Sequence, residues 1–307
     1  MSAPDFSHDT SRTARGTVFR YFFMLCALLS ILTTVAIILT LLVDAVDFFA
    51  QVSFVEFLTG TRWSPTNDPV AFGVLPLISG TLVITIGSAM VALPIGLLTA
   101  IYLSEYASER RRAYLKPALE VLAGVPTVVY GYFALVYVTP ALDTFLPLST
   151  FNALSASIMV GIMIIPMVSS ISEDAMSAVP DSLRQASYGL GATKFTVSTS
   201  VVVPAALSGI FSSFILALSR AIGETMIVAI AAGQTPRMAD LTDPAGMFLN
   251  SIQPMTSAMV QIGTGDIVGQ GEAYKSLFAV GLTLFVITFV MNLVSELVAS
   301  RYREVYR

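Results

Sequence analysis

The feature that most constrains this chain is an apolar run from Tyr21 to Val43 that contains no charged residue. A helix needs roughly 20 apolar residues to cross the hydrocarbon core of a bilayer. A secretory leader carries a shorter apolar region, about 7–15 residues, followed by a small-x-small cleavage site. This run is longer, and the Asp44-Ala45-Val46-Asp47 that follows makes a poor cleavage site, so it reads as a retained spanning helix. Five more segments meet the same test, at about 74–103, 118–140, 153–171, 204–232 and 277–298. Charged residues make up only 12% of the chain and mean hydropathy is +0.79. Soluble domains carry about 25% charged residues. The predicted fold is all-α and polytopic, with six transmembrane helices.

Lys and Arg orient such a chain, because basic residues stay on the cytoplasmic side. Twelve of the sixteen fall on one side of a six-span arrangement. They are Arg12, Arg15 and Arg20 before the first span, Arg110, Arg111, Arg112 and Lys116 after the second, Arg184 and Lys194 after the fourth, and Arg301, Arg303 and Arg307 at the end. Arg62, Arg237 and Lys275 fall on the other side, and Arg220 lies inside a span. Both termini are expected in the cytoplasm, with a tail at 1–20, a first span at 21–43, a core at 74–298 and a second tail at 299–307.

Two long segments face outward in this scheme. The stretch Asp44–Phe72 is turn-rich around Trp63-Ser-Pro65 and Pro69, with Trp63 as an interfacial aromatic. The stretch Gln234–Ser276 has little apolar periodicity and carries Gly263, Gly265, Gly269 and Gly271. It reads either as a landing surface for an external partner or as a spacer. Cys26 and His8 are the only residues of their kinds and lie far apart. They leave no zinc or haem site and no Cys-His or Ser-His catalytic pair.

The sharpest polar signal within a span is Arg220 with Glu224. An arginine at a helix centre costs about 2.5–3.5 kcal/mol on insertion scales, so it should face protein or water and have a partner. Glu224 is one helical turn on, within pairing reach on a continuous helix. Gly223 between them permits close approach of another helix or a ligand. Two readings stand: a water-lined pathway in which Arg220 meets an anion, or an ion pair that locks helices together. Thr81, Thr85 and Ser88 share one face of the second span. Their hydroxyls serve either a passing oxyanion or the carbonyl one turn back. Thr127 and Tyr130, beside Pro126 and Gly131, have the same two readings, since a kink there frees a backbone carbonyl. Glu120 is expected to reach interfacial water or Lys116.

A phosphate-binding loop needs Gly-x-x-x-x-Gly-Lys-Ser/Thr. The three lysines follow Leu115, Thr193 and Tyr274, so no Gly-Lys pair exists. If ATP drives this protein, the nucleotide and its magnesium belong to another chain. The loop at 172–203 offers that chain a place to dock. Pro180 and Asp181 suit the first turn of a helix. Leu183, Ala186, Ser187 and Leu190 give it a face of small and apolar residues, and Gly189 or Gly191 stops it. A second helix over 192–203 is expected to run rigidly into the membrane.

Gln185-Ala186-Ser187, three residues, Gly191, nine residues, then Val201-Val202-Val203-Pro204 has the spacing of the loop motif of ABC importer permeases. That motif reads Glu-Ala-Ala, three residues, Gly, nine residues, Ile-x-Leu-Pro, so Gln, Ser and Val are departures here. Leu122 to Gly131, Ala178-Val-Pro180, Leu190-Gly-Ala-Thr193, Ser219 to Met226 and Leu282 to Thr288 resemble the phosphate (Pst) importer permeases, in the form of their PstC subunits. The resemblance covers about 74–298. It implies a MetI-like permease fold in a bacterial inner membrane and phosphate import by alternating access. The implied partners are a PstA-like permease, two PstB-like ATPases, a PstS-like phosphate-binding protein and lipid, with no nucleic acid. The chain itself would be no enzyme. The same resemblance implies a phosphate-pathway role for Arg220 and Glu224, and ATPase docking by Asp181, Leu183, Arg184, Gln185, Ala186, Ser187, Gly191 and Pro204. Sulfate, molybdate or tungstate are alternative cargoes, and an ATP-independent channel or secondary transporter is the alternative class.

Overall fold

The computed structural model describes residues 10–265 and 271–301. His8, Asp266, Gly269 and the last residues of the C-terminal tail lie outside them. The chain is helical with one small hairpin. Helix α1 (Thr10–Phe49) is followed by α2 (Phe54–Thr59) and strands β1 (Trp63–Ser64) and β2 (Ala71–Phe72). Next come α3 (Leu75–Ile101), prolonged by a π-helical turn at Tyr102–Tyr106, and α4 (Glu109–Gly124). Then α5 (Thr127–Phe133) runs through a second π turn into α6 (Thr139–Asp143), followed by α7 (Ala153–Ser177). A short elbow holds α8 (Asp181–Gly189), α9 (Lys194–Val197) and α10 (Val203–Ala205), with a third π turn between the last two. The remainder is α11 (Leu207–Ile222), α12 (Met226–Ala231), α13 (Pro244–Leu249), α14 (Met255–Thr264) and α15 (Glu272–Arg301).

Among the described residues four helices are long and apolar enough to cross a membrane, and up to six crossings result if each of two bent pairs counts as one. The first, second, fourth and sixth expected spans are continuous helices. The third and fifth are broken, which changes the reading of the residues in them. The third bends by 86° between α4 and α5. Pro126 stands immediately before α5, and the residue before a proline is driven out of helical geometry. Val125 is extended there, with ψ 130°. The fifth bends by 70° at Ala206, just after Pro204, so the elbow does not continue straight into the membrane helix. It breaks again after Ile222.

Three buried clusters hold the helices together. One, at the hairpin end, joins Phe48, Phe57, Trp63, Phe72 and Leu77 to Met255, Ala258 and Ile262. Trp63 is therefore a core residue, 5% exposed, packed edge-on against Phe72, and not an interfacial anchor. Its strand pairs with the one carrying Phe72, which draws the indole inward. The expected outer loop 234–276 is likewise partly core, because α14 buries one face in this cluster. The central cluster unites α3, α5, α7, α11 and α12, with Ile84, Val160, Ile164, Ala221 and Ile227 at its heart. The third gathers Ala100, Met176, Val179, Val197 and Ile210 at the end that bears α8. By contrast α1 leaves its apolar side chains largely exposed, as a helix facing lipid does.

Candidate functional site

The second break in the fifth span fixes the geometry of the polar residues. Arg220 occupies the last turn of α11, where a cation complements the partial negative charge of a helix C-terminus. Gly223 closes that helix. Glu224 then sits outside any helix, and its Oε1 accepts hydrogen bonds from the amides of Met226 (3.1 Å) and Ile227 (3.3 Å) at the start of α12. Its carbonyl accepts the Thr256 hydroxyl at 2.7 Å. The expected Arg220–Glu224 pair is not formed. A helix break sends the two side chains different ways, and the free amides of α12 satisfy the carboxylate instead.

Arg220 is exposed to a cavity of about 460 Å³ and makes no hydrogen bond or ion pair with another described residue. Lys116 and Glu120 of α4 line the same cavity, with Met163, Pro166, Ser170 and Glu173 of α7. From Met163 to Glu173 the wall follows about 15 Å of helix. A second cavity of about 310 Å³ is lined by Gly223, Thr225 and Thr256. The broken end of α11 thus has a cavity with a few charged groups in a mainly apolar wall on its Arg220 side and a smaller one beyond Gly223. Irregular backbone at membrane depth is tolerated where it is buried in protein or lines such a space.

Glu173 is fully buried and forms ion pairs with Arg112 and with Lys116, the latter at 2.8 Å. The Lys116 contact is close in distance but outside hydrogen-bond geometry, so Glu173 Oε2 has an ion-pair partner and no hydrogen bond. Glu173 takes Lys116, one of the two expected partners of Glu120, and leaves the exposed Glu120 to the other, water. Glu120 instead faces the cavity with no bonded partner among the described residues. The charged groups of the cavity wall are therefore one unpaired guanidinium, one unpaired carboxylate and the Lys116–Glu173 ion pair.

The hydroxyl stripe does not reach this cavity. Thr81 donates to Leu77 O at 2.9 Å and accepts the Met255 amide at 3.0 Å. Thr85 and Ser88 donate to carbonyls of their own helix. All three are buried, and their bonds serve α3 and its contact with α14. Tyr130 donates to Leu122 O at 2.7 Å, which satisfies a carbonyl released by the 86° break. Thr127 is the first residue of α5 and lies outside the cavity walls. Gly131 lets α5 approach α12: a Cβ there would lie 3.1 Å from Ile227 Cα and from Ile230.

The elbow takes the expected form at 180–191. Asp181 opens α8, and Gly191 ends the turn with φ +81°, a left-handed conformation that favours glycine. Thr193 caps α9 by accepting the Thr196 amide. Gln185, Ala186, Gly191 and Pro204 are exposed, and so is Leu190 at 90%. Leu183 and Ser187 are half-buried. Arg184 turns inward: it pairs with Glu105 at 3.0 Å and donates to the carbonyls of Met176 (2.8 Å) and Val179 (2.5 Å). Glu105, Lys116 and Glu173 were missed as a group. Each stands just beyond an apolar span, where a solvated end looks the same in sequence, and their partners are remote in the chain.

A family profile described as "Binding-protein-dependent transport system inner membrane component" matches residues 92–304. The chain belongs to this family. The chain is similar to a Bacillus subtilis protein described as a probable ABC transporter permease, YqgH, 35% identical over 90% of this chain and 88% of that one. A Mesorhizobium japonicum protein described as the phosphate transport system permease PstC is 30% identical over 98% of both chains. The fold recurs in solved ABC importers. A chain of an alginate importer aligns with TM-score 0.63 and 14% identity over 95% of this chain and 100% of its own length. A chain of the MetNI methionine transporter, in inward-facing form, aligns with TM-score 0.55 and 15% identity over 78% of this chain and 100% of its own. As a family member, the chain is a multi-pass permease subunit of an ABC transporter.

Proposed function

We propose that this chain is the PstC-like half of a phosphate importer and that Arg220 is its anion contact. The observation that carries the proposal is an unpaired guanidinium, at the broken end of a membrane helix, opening into a cavity. Arginine presents a planar fork of donors that suits phosphate oxygens and stays charged at any physiological pH. Relatives named as phosphate transport permeases match nearly the whole chain, which supports phosphate as cargo. Lys116 on the same wall is already paired with Glu173, which leaves Arg220 as the free cation among the described lining residues, and Glu120 offers an acceptor for a hydrogen bond from the P–OH of a partly protonated phosphate.

In this reading 74–298 is the transport core and 21–43 an added spanning helix. Both termini and α8 lie in the cytoplasm, where the basic residues concentrate. A PstA-like permease completes the pathway. Two PstB-like ATPases, which hold the ATP and magnesium, press on the exposed face of α8. A PstS-like protein delivers phosphate to the hairpin end. Closure of the ATPases rocks the helices and turns the Arg220 cavity from one side to the other. No bond is made or broken in this chain.

The test is uptake of radiolabelled phosphate by cells that carry or lack this chain, in competition with sulfate, molybdate and tungstate. Uptake that depends on the chain and resists the competitors supports phosphate. Competition by one of them transfers the reading to that oxyanion. Arg220→Gln is expected to abolish uptake while the ATPase subunits still co-purify. Normal uptake in that variant would return Arg220 to a purely structural role.

A further inference from the structure

The covalent route from the elbow to the anion cavity is poorly suited to carry force, because it bends by 70° at Ala206. The tightest connection of α8 to the rest of the molecule runs elsewhere. Arg184 Nη2 lies 3.0 Å from Glu105 Oε1, and Arg184 Nε lies 3.4 Å from the same oxygen. The carboxylate side chain is 5% exposed and the guanidinium 15%. The same guanidinium closes off the end of α7 by donating to Met176 O and Val179 O. Lys194, at the start of α9, lies 5.1 Å from the ring centre of Tyr106, the neighbour of Glu105. Two cations of the elbow therefore grip one turn, Tyr102–Tyr106.

That turn is the end of α3, which runs unbroken from Leu75 to Tyr106 over 32 residues. At 1.5 Å per residue this is a rod of about 48 Å, long enough to cross a bilayer. Its far end is fastened as well. Ser79 accepts the Ala239 amide at 2.6 Å, and Thr81 accepts the Met255 amide at 3.0 Å. Along its length it packs into the central cluster through Val83, Ile84 and Ala92. A rod tied at one end to the elbow and at the other to the segments carrying Ala239 and Met255 transmits displacement between the two faces.

We infer that the Arg184–Glu105 ion pair is the joint through which movement of α8 drives α3, and that α3 carries the signal between the ATPase face and the hairpin end. The inference rests on the proposal above that α8 meets an ATPase. Arg184 is then a positioning residue and not a direct contact of the ATPase. A nearly buried ion pair suits this task. Arg184 also meets the exposed Asp181 at 3.3 Å, but Glu105 has no other cation among the described residues, so breaking the pair leaves the nearly buried carboxylate uncompensated and favours the two helices moving together.

The test uses the full transporter, with its ATPase subunits, in proteoliposomes. Glu105→Gln keeps the shape of the side chain and removes its charge. The expected result is normal co-purification and ATP hydrolysis, with the phosphate moved per ATP reduced about tenfold, inside the 5- to 150-fold range of typical coupling. Glu105→Arg with Arg184→Glu should recover part of the loss seen in either single reversal. Full recovery is not expected, because a glutamate cannot donate to the carbonyls of Met176 and Val179.

A second readout is independent of cargo. Spin labels at Ser182→Cys and Val70→Cys, in a Cys26→Ser background, measure the distance from α8 to the residue before the hairpin strand that leads into the far end of α3. ATP should leave this distance fixed in the parent, where α8 and α3 move as one, and change it in Glu105→Gln, where α8 moves alone. An unchanged transport ratio, or a distance that responds to ATP in Glu105→Gln as it does in the parent, overturns the inference. If the parent hydrolyses ATP at fixed distance and Glu105→Gln does not hold that distance, but the parent moves no phosphate, the cargo reading fails and the joint stands.

Discussion

The ion-pair cluster around Glu173 makes an asymmetric prediction. The Glu173 side chain is 0% exposed, whereas those of Arg112 and Lys116 are 39% and 35% exposed. Replacing both cations by alanine leaves the buried carboxylate without either of its counter-ions. Removing the partner of a buried charge costs about 3–5 kcal/mol. Glu173→Gln removes the carboxylate charge instead and leaves two half-exposed cations that rehydrate in place. That loss should be about 1 kcal/mol, the range of a solvent-accessible pair. For a chain of this size about 2 °C of Tm accompanies each kcal/mol. Arg112→Ala/Lys116→Ala should therefore melt about 6–10 °C below the parent, and Glu173→Gln about 2 °C below it. The assay is thermal loss of helical circular dichroism in detergent at fixed salt. Equal destabilisation by the two changes, or a neutral double alanine variant, would refute the reasoning. Either result would mean that the α4–α7 contact does not depend on a desolvated carboxylate.

Other substitutions probe the remaining elements. Gly191→Val forces a β-branched residue into φ +81° at the end of the elbow. It should abolish ATP-dependent uptake while membrane insertion stays normal by fractionation, and unaffected uptake would sink the docking role. Gly131→Ala places a methyl 3.1 Å from Ile227 Cα and should cost about 1–3 kcal/mol by overpacking, read as a lowered Tm. Tyr130→Phe leaves Leu122 O with only the longer bond from the Val125 amide (3.4 Å) at the bend and should cost about 1 kcal/mol, with a larger loss of uptake only if the hydroxyl also meets the anion.

Much of the fold was legible because a bilayer leaves little choice. Apolar length predicts helices, and four of the six expected spans are single helices over the expected stretches. The elbow was legible from local chemistry: Pro180 and Asp181 open α8, and Gly191 ends it, with no tertiary contact needed. The breaks were less so. Pro126 announced a kink, but the same residue permits a mild bend or the observed 86° turn, and packing of α5 on α12 selects between them. Nothing local marked the break at 223–225, where Ile222-Gly223-Glu224 is compatible with a continuous helix. Glu224 stays buried off-helix because α12 offers it two amides and Thr256 takes its carbonyl.

The sequence by itself determined that this is a helical membrane protein, and it raised the expectation that a separate ATPase docks on the loop at 172–203. It also singled out Arg220 as a charge inside a span that needs a reason. Only the tertiary structure decided where that charge stands. It separated Arg220 from Glu224, set the arginine in a cavity with Lys116 and Glu120, and bound Arg184 to Glu105 across 79 positions of chain. Helix spacing foretells pairings within one straight helix, because the geometry is fixed over a turn. Pairings between helices depend on which faces meet and where a helix stops, and those are settled by packing of the whole bundle.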